Sequence, residues 1–320
     1  ENLHTIRASQ YRDIPSDSLG LNNGEKVAVI FASGPINTGR SNDGPFGDAT
    51  VGSDTVVQAV NDAANDTSVK AIILRVDSPG GSALASDLMW FAIENAKAKK
   101  PVVVSMGDVA ASGGYYISTN AHKIVAQPTT ITGSIGVFMG KPVVKGMYDW
   151  LGITNEYVLR GKNAGLFRIT EKWTPEERAR MEAQTNGIYF DNFLPKVADG
   201  RNLSVERANE LGQGRVWTGT QAKENGLIDE FGGLEKAIQV AKDLAQLPAD
   251  KDVRRVVFPA PRPFLETLFA EEDSAELKAQ RALAQSLPED ARRALSFAAL
   301  FDRMKRGESM LLMPFELNIK

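Results

Sequence analysis

Three short runs of apolar and β-branched residues constrain the fold most: Lys26–Ala32 (KVAVIFA), Val69–Val76 (VKAIILRV) and Pro101–Met106 (PVVVSM). Each is nearly continuous rather than alternating, as expected of a strand covered on both faces. Helical patterns separate them: Gly52–Asp66, with Val56, Val57 and Val60 on one face and Ser53 as N-cap, and Ala83–Lys99, whose basic end (KAKK) suits a helix C-terminus. Strand and helix go on alternating through a helix at Ser112–Asn120, a strand at Lys123–Ala126, a turn at PTTITG and a strand at Ser134–Phe138. Parallel strands need crossovers of this length, so the expected fold is a layered α/β protein with a largely parallel sheet.

From Thr174 onward the pattern becomes helical. TPEER places Thr174 at the N-cap, Pro175 in the first turn and Glu177 at the capping-box position. Further helices fit Ser204–Leu211, Gly219–Asn225 and Leu234–Leu247. The expected organisation is a polar opening segment at residues 1–25, a main domain at 26–247 and a helical carboxyl-terminal extension at 248–320. That extension starts with a strand-like run, VRRVVFPAPRPF, ended by prolines. Its Phe264, Leu265, Leu268 and Phe269 suggest an apolar helix face or a subunit contact. The Gly/Asn/Asp-rich stretch NTGRSNDGPFGDATVG reads as a mobile loop.

Composition closes off several chemistries. With no cysteine among 320 residues, disulfides, thiolate catalysis and cysteine-based zinc sites are excluded. The only histidines, His4 and His122, lie far apart without a ligand cluster, so neither a metal nor another cofactor is expected. A net charge of −3 gives no electrostatic reason for nucleic acid or an anionic membrane as partner. No run reaches the roughly 18 apolar residues of a membrane span. The chain starts at Glu1 without a signal sequence, so any anchor is expected upstream.

Two turns stand out. DSPGGS (77–82) and AASGGY (110–115) each join a buried strand to a helix through paired glycines, which let backbone N–H groups approach a ligand closely. On adjacent parallel strands the two turns would face one cleft at the carboxyl end of the sheet, where an oxyanion could be held. Neither fits a dinucleotide or phosphate-loop pattern, and GxSxG is absent around Ser112. By itself Ser112 is read either as a helix cap or as a nucleophile, and no histidine is placed to serve it as base.

The segments LRVDSPGGSALAS, VVVSMGDVAASGGYYIS, PTTITGSIGVF and GRVWTGTQAKENGLIDEFGG resemble, in order, the motifs of the signal peptide peptidase A family of serine peptidases, which has a ClpP/crotonase-like fold. The resemblance covers residues 25–247 and is to the second half of the long, duplicated form. It implies Ser112 as nucleophile at the start of a helix, Gly80, Gly81 and Gly113 as oxyanion donors, and Ser134 as the residue that orients a catalytic lysine.

A lysine acts as base only when neutral, and its reference pKa of about 10.4 must be lowered by burial or by a nearby positive charge. Matching the family's glycine to Gly161 puts its lysine at Ala164, whereas the lysine present, Lys162, is two residues earlier. Two readings stand open. Either Lys162 reaches Ser112 through a rearranged loop, or the base comes from an upstream half or another subunit.

The remaining candidates have simpler expected roles: turns or caps for Asp77 and Asp108, a helix end for His122, and packing of the Ser112 helix for Tyr115 and Tyr116. Trp150, Phe167 and Trp173 suit either core packing or an apolar substrate wall. The resemblance further implies peptide substrates such as cleaved signal peptides, a homo-oligomer, and membrane association at a bacterial cell envelope on its extracytoplasmic side. A crotonase-like acyl-CoA enzyme and a non-catalytic assembly module are the alternatives.

Overall fold

The computed structural model describes residues 22–42, 49–259 and 309–312. Most of the opening segment, His4, Phe264 to Phe269 and the helices expected in the carboxyl-terminal extension lie outside the described residues.

The three constraining runs form strands β1 (Lys26–Ser33), β4 (Val69–Ser78) and β6 (Val102–Ala111). They are the centre of an eight-stranded sheet with β7 (Lys123–Ala126), β8 (Ile131–Gly133), β9 (Val216–Thr218), β10 (Glu230–Phe231) and β11 (Arg254–Phe258). Its order is β10-β7-β6-β4-β1-β11, with β8 beside β6 and β9 beside β8. All these pairings are parallel except β8 with β9. Sheet pairing therefore continues past residue 247, because β11 runs along β1 from Arg254 opposite Lys26 to Phe258 opposite Ile30.

The continuous apolar runs are explained by layers on both faces. Ile72, Leu74, Val104 and Met106 face helices α1 (Ser53–Asn65) and α2 (Ala83–Lys97). The alternate residues Ala71, Ile73 and Val103 pack on the opposite side with Ala237, Ile238 and Ala241 of the carboxyl-terminal helix Leu234–Leu244. With about 0.8 kcal/mol per buried methylene, these two layers are the main source of stability for the domain.

Four local expectations are corrected. Ser53 is the first residue inside α1 rather than its N-cap. Gly52 holds the cap position without a side-chain bond, and Ser53 Oγ instead accepts from Gly39 N at 3.1 Å. The helix expected over Ser112–Asn120 shortens to α3 (Gly113–Tyr116), since Ser118 and Thr119 hydroxyls bond back to the Gly114 and Tyr116 carbonyls and favour turns. Strand β8 lies within PTTITG, while Ser134–Phe138 is irregular because Ser134 turns to φ 48° and leaves the ladder. β6 does not stop at Met106 but runs on to Ala111. It leaves β7 after Ser105 and pairs with β8 from Val109.

That change of partner is built by Asp77. Its Oδ1 accepts from Val109 N at 3.1 Å, and a Cβ at Gly107 would stand 2.7 Å from its Cγ, so only glycine lets the strand pass. The β4–β6 register then shifts between Val76 and Ser78. A second, small sheet sits at the end of β4, in the order β12 (Met310–Leu312), β5 (Gly80–Ser82), β2 (Ile36–Asn37), β3 (Val51–Gly52).

Candidate active site

Ser112 follows the last residue of β6 and precedes α3. Its backbone is at φ 52°, ψ −111°, a region that non-glycine residues avoid, and the residue is fully buried. This turn aims the hydroxyl away from the helix: no side-chain cap bond forms, and Oγ lies 3.5 Å from the Gly136 carbonyl, to which it donates. Ser112 therefore occupies a cap position without capping.

The wall around it comes from the Gly133–Gly136 segment. Ser112 N donates to Gly133 O at 2.8 Å. Ser134, also buried and at positive φ, donates its N–H to Arg215 O at 2.7 Å, and Gly214 N donates to Ile135 O at 2.9 Å. The segment is thus pinned from behind. Tyr189 Oη supports that pin, accepting from Gln213 N at 3.0 Å and donating to Asn209 Oδ1 at 2.9 Å.

The second glycine turn faces the first. Gly80 is at φ 101°, and a Cβ there would stand 2.7 Å from Gly113 N, so the two turns meet backbone to backbone. Gly80 N donates to Ser78 Oγ at 3.2 Å. As the first residue of α3, Gly113 has no intrahelical acceptor for its N–H. Ser82, the last residue of the SPGGS turn, caps α2 by accepting from Ala85 N.

Helix α3 is anchored from below. Tyr115 Oη donates to Leu227 O at 2.9 Å, and burial pushes this phenol's pKa up, so it stays protonated. Tyr116 Oη donates to Asp87 Oδ1 at 2.6 Å, and Lys196 Nζ pairs with both while lying over the Trp90 and Phe91 rings. Sequence reasoning missed Asp87 and Lys196, which no spacing connects to Ser112.

Lys162 does not join this group. It lies exposed in the turn following Arg160, and among the described residues no hydrogen bond links it to Ser112 or Ser134. Lys141 was not singled out, yet it is half-buried: its Nζ donates to Leu166 O at 3.1 Å and lies over the Trp173 ring. Burial lowers its pKa, with Arg168 adding to the effect and Glu177 opposing it. Lys141 and Trp173 line a cavity of about 650 Å3 with Phe138, Met139, Val143 and Met181. Trp150 stands 83% exposed, which removes it from the core. Phe167 is half-buried, Asp108 is exposed, and His122 is structural, its Nδ1 accepting from Val102 N at 3.0 Å. Among the described residues no group of His, Asp or Glu side chains is placed to hold a metal.

Fold and niche together define a class: a layered α/β protein that presents a serine hydroxyl at a strand end, next to backbone amides, an arrangement suited to acyl-transfer chemistry. The chain belongs to peptidase family S49, which it matches over residues 94–248. It is 33% identical over 227 residues to a relative from Synechocystis sp., covering 71% of this chain and 77% of that one. It is 36% identical over 290 residues to the chloroplastic serine protease SPPA of Arabidopsis thaliana, and 41% identical over 249 residues to Protease 4 of Salmonella typhi. These alignments cover 90% and 76% of this chain but 43% and 38% of the relatives, so the chain spans less than half their length. Relatives with protease names lend no support to the acyl-CoA or assembly-module alternatives.

Proposed function

We propose that the chain is the serine-bearing part of a peptidase that cleaves signal peptides and other apolar, unfolded peptides. Ser112 is the nucleophile. The N–H groups of Gly81 and Gly113 stabilise the tetrahedral oxyanion, and Gly80, its own N–H held by Ser78, keeps the two turns in contact. Ser134 orients the lysine. The observation that carries this reading is the uncapped Ser112 hydroxyl, held in a strained backbone conformation beside those amides.

The base comes from a part of the longer protein outside this chain. Lys162 is exposed, and among the described residues no hydrogen bond links it to Ser112 or Ser134. Relatives more than twice as long leave room for such a contribution.

The same reading gives the chain peptide substrates, a homo-oligomeric assembly and attachment to a bacterial envelope membrane through an upstream anchor, with this domain on the extracytoplasmic side. Among the described residues no helix is long and apolar enough to cross a membrane.

Hydrolysis of a fluorogenic apolar peptide tests the proposal. The isolated chain should be nearly inactive. Adding the upstream polypeptide should restore turnover, and Ser112→Ala should then remove it by about four orders of magnitude. Strong activity of the chain alone, lost in Lys162→Ala, would transfer the base to Lys162; no turnover in any combination would sink the peptidase reading.

A further inference from the structure

A fully buried Ser112 cannot meet a substrate unless something beside it moves, and strand β12 is the neighbour best placed to do so. Met310, Leu311 and Leu312 run antiparallel to β5, opposite Ser82, Gly81 and Gly80 respectively. On its other edge Met310 exchanges two hydrogen bonds of 3.1 Å with Phe138, just beyond the Gly136 carbonyl that Ser112 faces. The segment is thus a middle strand, bonded on both edges, lying between the two walls of the niche.

The register also places one carbonyl. Ala83 N donates to Ser309 O at 3.0 Å. Bonded pairs alternate along an antiparallel ladder, so Gly81 and Leu311 are the next bonded pair, with Gly81 N–H directed at Leu311 O. The same oxygen would lie 2.0 Å from a Cβ at Gly80 and 3.1 Å from one at Gly113. A carbonyl oxygen therefore sits where both glycine turns converge. Met310 and Leu311 are both fully buried, so the strand fills apolar space as well as the ladder.

We infer that Ser309–Leu312 is an intramolecular occupant of the peptide-binding groove: the chain's own carboxyl-terminal segment lies in it as an added strand, with the Leu311 carbonyl at the oxyanion position, and keeps the groove closed until displaced. The ligand that displaces it is an extended peptide with adjacent apolar side chains, held by main-chain bonds to Gly81, Ala83 and Phe138. This rests on the reading of the Ser112 niche as a peptide site, but binding can be measured without hydrolysis.

The probe is a fluorescein-labelled peptide of sequence SMLLMP, the chain's own residues 309–314, followed by anisotropy with the full chain. Leu311→Asp puts a carboxylate at a fully buried apolar position and should expel the strand, raising affinity for the probe at least tenfold over the unsubstituted chain, whereas Leu311→Met should leave it unchanged. Hydrogen exchange at the Ala83 and Phe138 amides should quicken in Leu311→Asp and slow again when the probe is added. Equal affinity in both chains, or no binding by a folded Leu311→Asp protein, would overturn the inference. Should Leu311→Asp fail to fold, deletion of residues 309–320 takes its place; failure of that form too would make the strand a fixed part of the core and would equally overturn it. Binding without turnover in the reconstituted enzyme would count only against the peptidase reading, and turnover unaffected by Leu311→Asp only against the groove's closure.

Discussion

Ser112 combines two demands that conflict in most serines. Its φ of 52° and ψ of −111° cost about 1–3 kcal/mol in a residue with a Cβ. Replacement by glycine removes that strain and returns about 0.5–1 kcal/mol of backbone entropy cost. Ser112→Gly should therefore be more stable than the parent by about 1 kcal/mol in urea titration, while Ser112→Ala, which keeps the strain, should be close to neutral. A parent as stable as its glycine variant would mean that the backbone there is unstrained. Gly80 has the opposite sensitivity. Alanine there meets the Leu311 carbonyl and Gly113 N and takes on an unfavourable φ of 101°, so Gly80→Ala should lose at least about 2 kcal/mol by the same measurement.

Elements are tied together away from the niche by a few polar bonds. Asp229 joins β7 to the helix Leu194–Arg201: its Oδ2 accepts from Ile124 N at 2.8 Å and from Arg201 at 3.0 Å, and Lys123 lies 3.5 Å from Oδ1. Burial pushes this carboxyl's pKa up, but Arg201, the Ile124 amide and Lys123 outweigh it, so the folded-state value is depressed. The stability it contributes is fully present above the unfolded carboxylate value of about 3.9 and is lost as pH falls below that through the folded value. Asp229→Asn should cost about 3 kcal/mol at pH 7, because it leaves the Arg201 charge buried, and should flatten the acid limb of stability against pH. The capping box at Thr174 is exposed and local. Thr174→Ala should cost about 1 kcal/mol, read in the same denaturation experiment.

At the scale of the whole molecule, several large apolar side chains among the described residues are exposed. Leu84, Leu88 and Phe91 form an exposed stripe along α2, and Met147, Trp150, Leu151 and Val158 are exposed in the 143–159 stretch. Such faces suit contact with further copies or with the rest of a longer protein. If the proposed assembly uses α2, sedimentation should find the chain heavier than a monomer at micromolar concentration, and Leu84→Lys combined with Leu88→Lys should shift it toward the monomer. A monomer throughout would remove α2 from the interface.

The layered fold was legible in the chain because it rests on local properties: β1, β4 and β6 are apolar on both faces, and the Thr174 capping box lies within four consecutive residues. The two glycine turns were legible as a pair because one crossover separates them. The extension of β6 to Ala111 was not, since the apolar run ends at Met106 and only Asp77, on the neighbouring strand, supplies the bond that carries the strand onward. Nor was the direction of the Ser112 hydroxyl, because a serine before a helix suggests a cap and only the bond to Gly133 and the approach of Gly80 hold it in the uncapped conformation. By itself the sequence determined that β1, β4, β6 and β7 are strands, which turns carry paired glycines and which family they resemble. Only tertiary structure decided that Lys162 stands in solvent, that Lys141 is half-buried, and that residues from the far end of the chain lie against Gly81. Those outcomes depend on packing between segments distant in the chain, which local residue pattern does not encode.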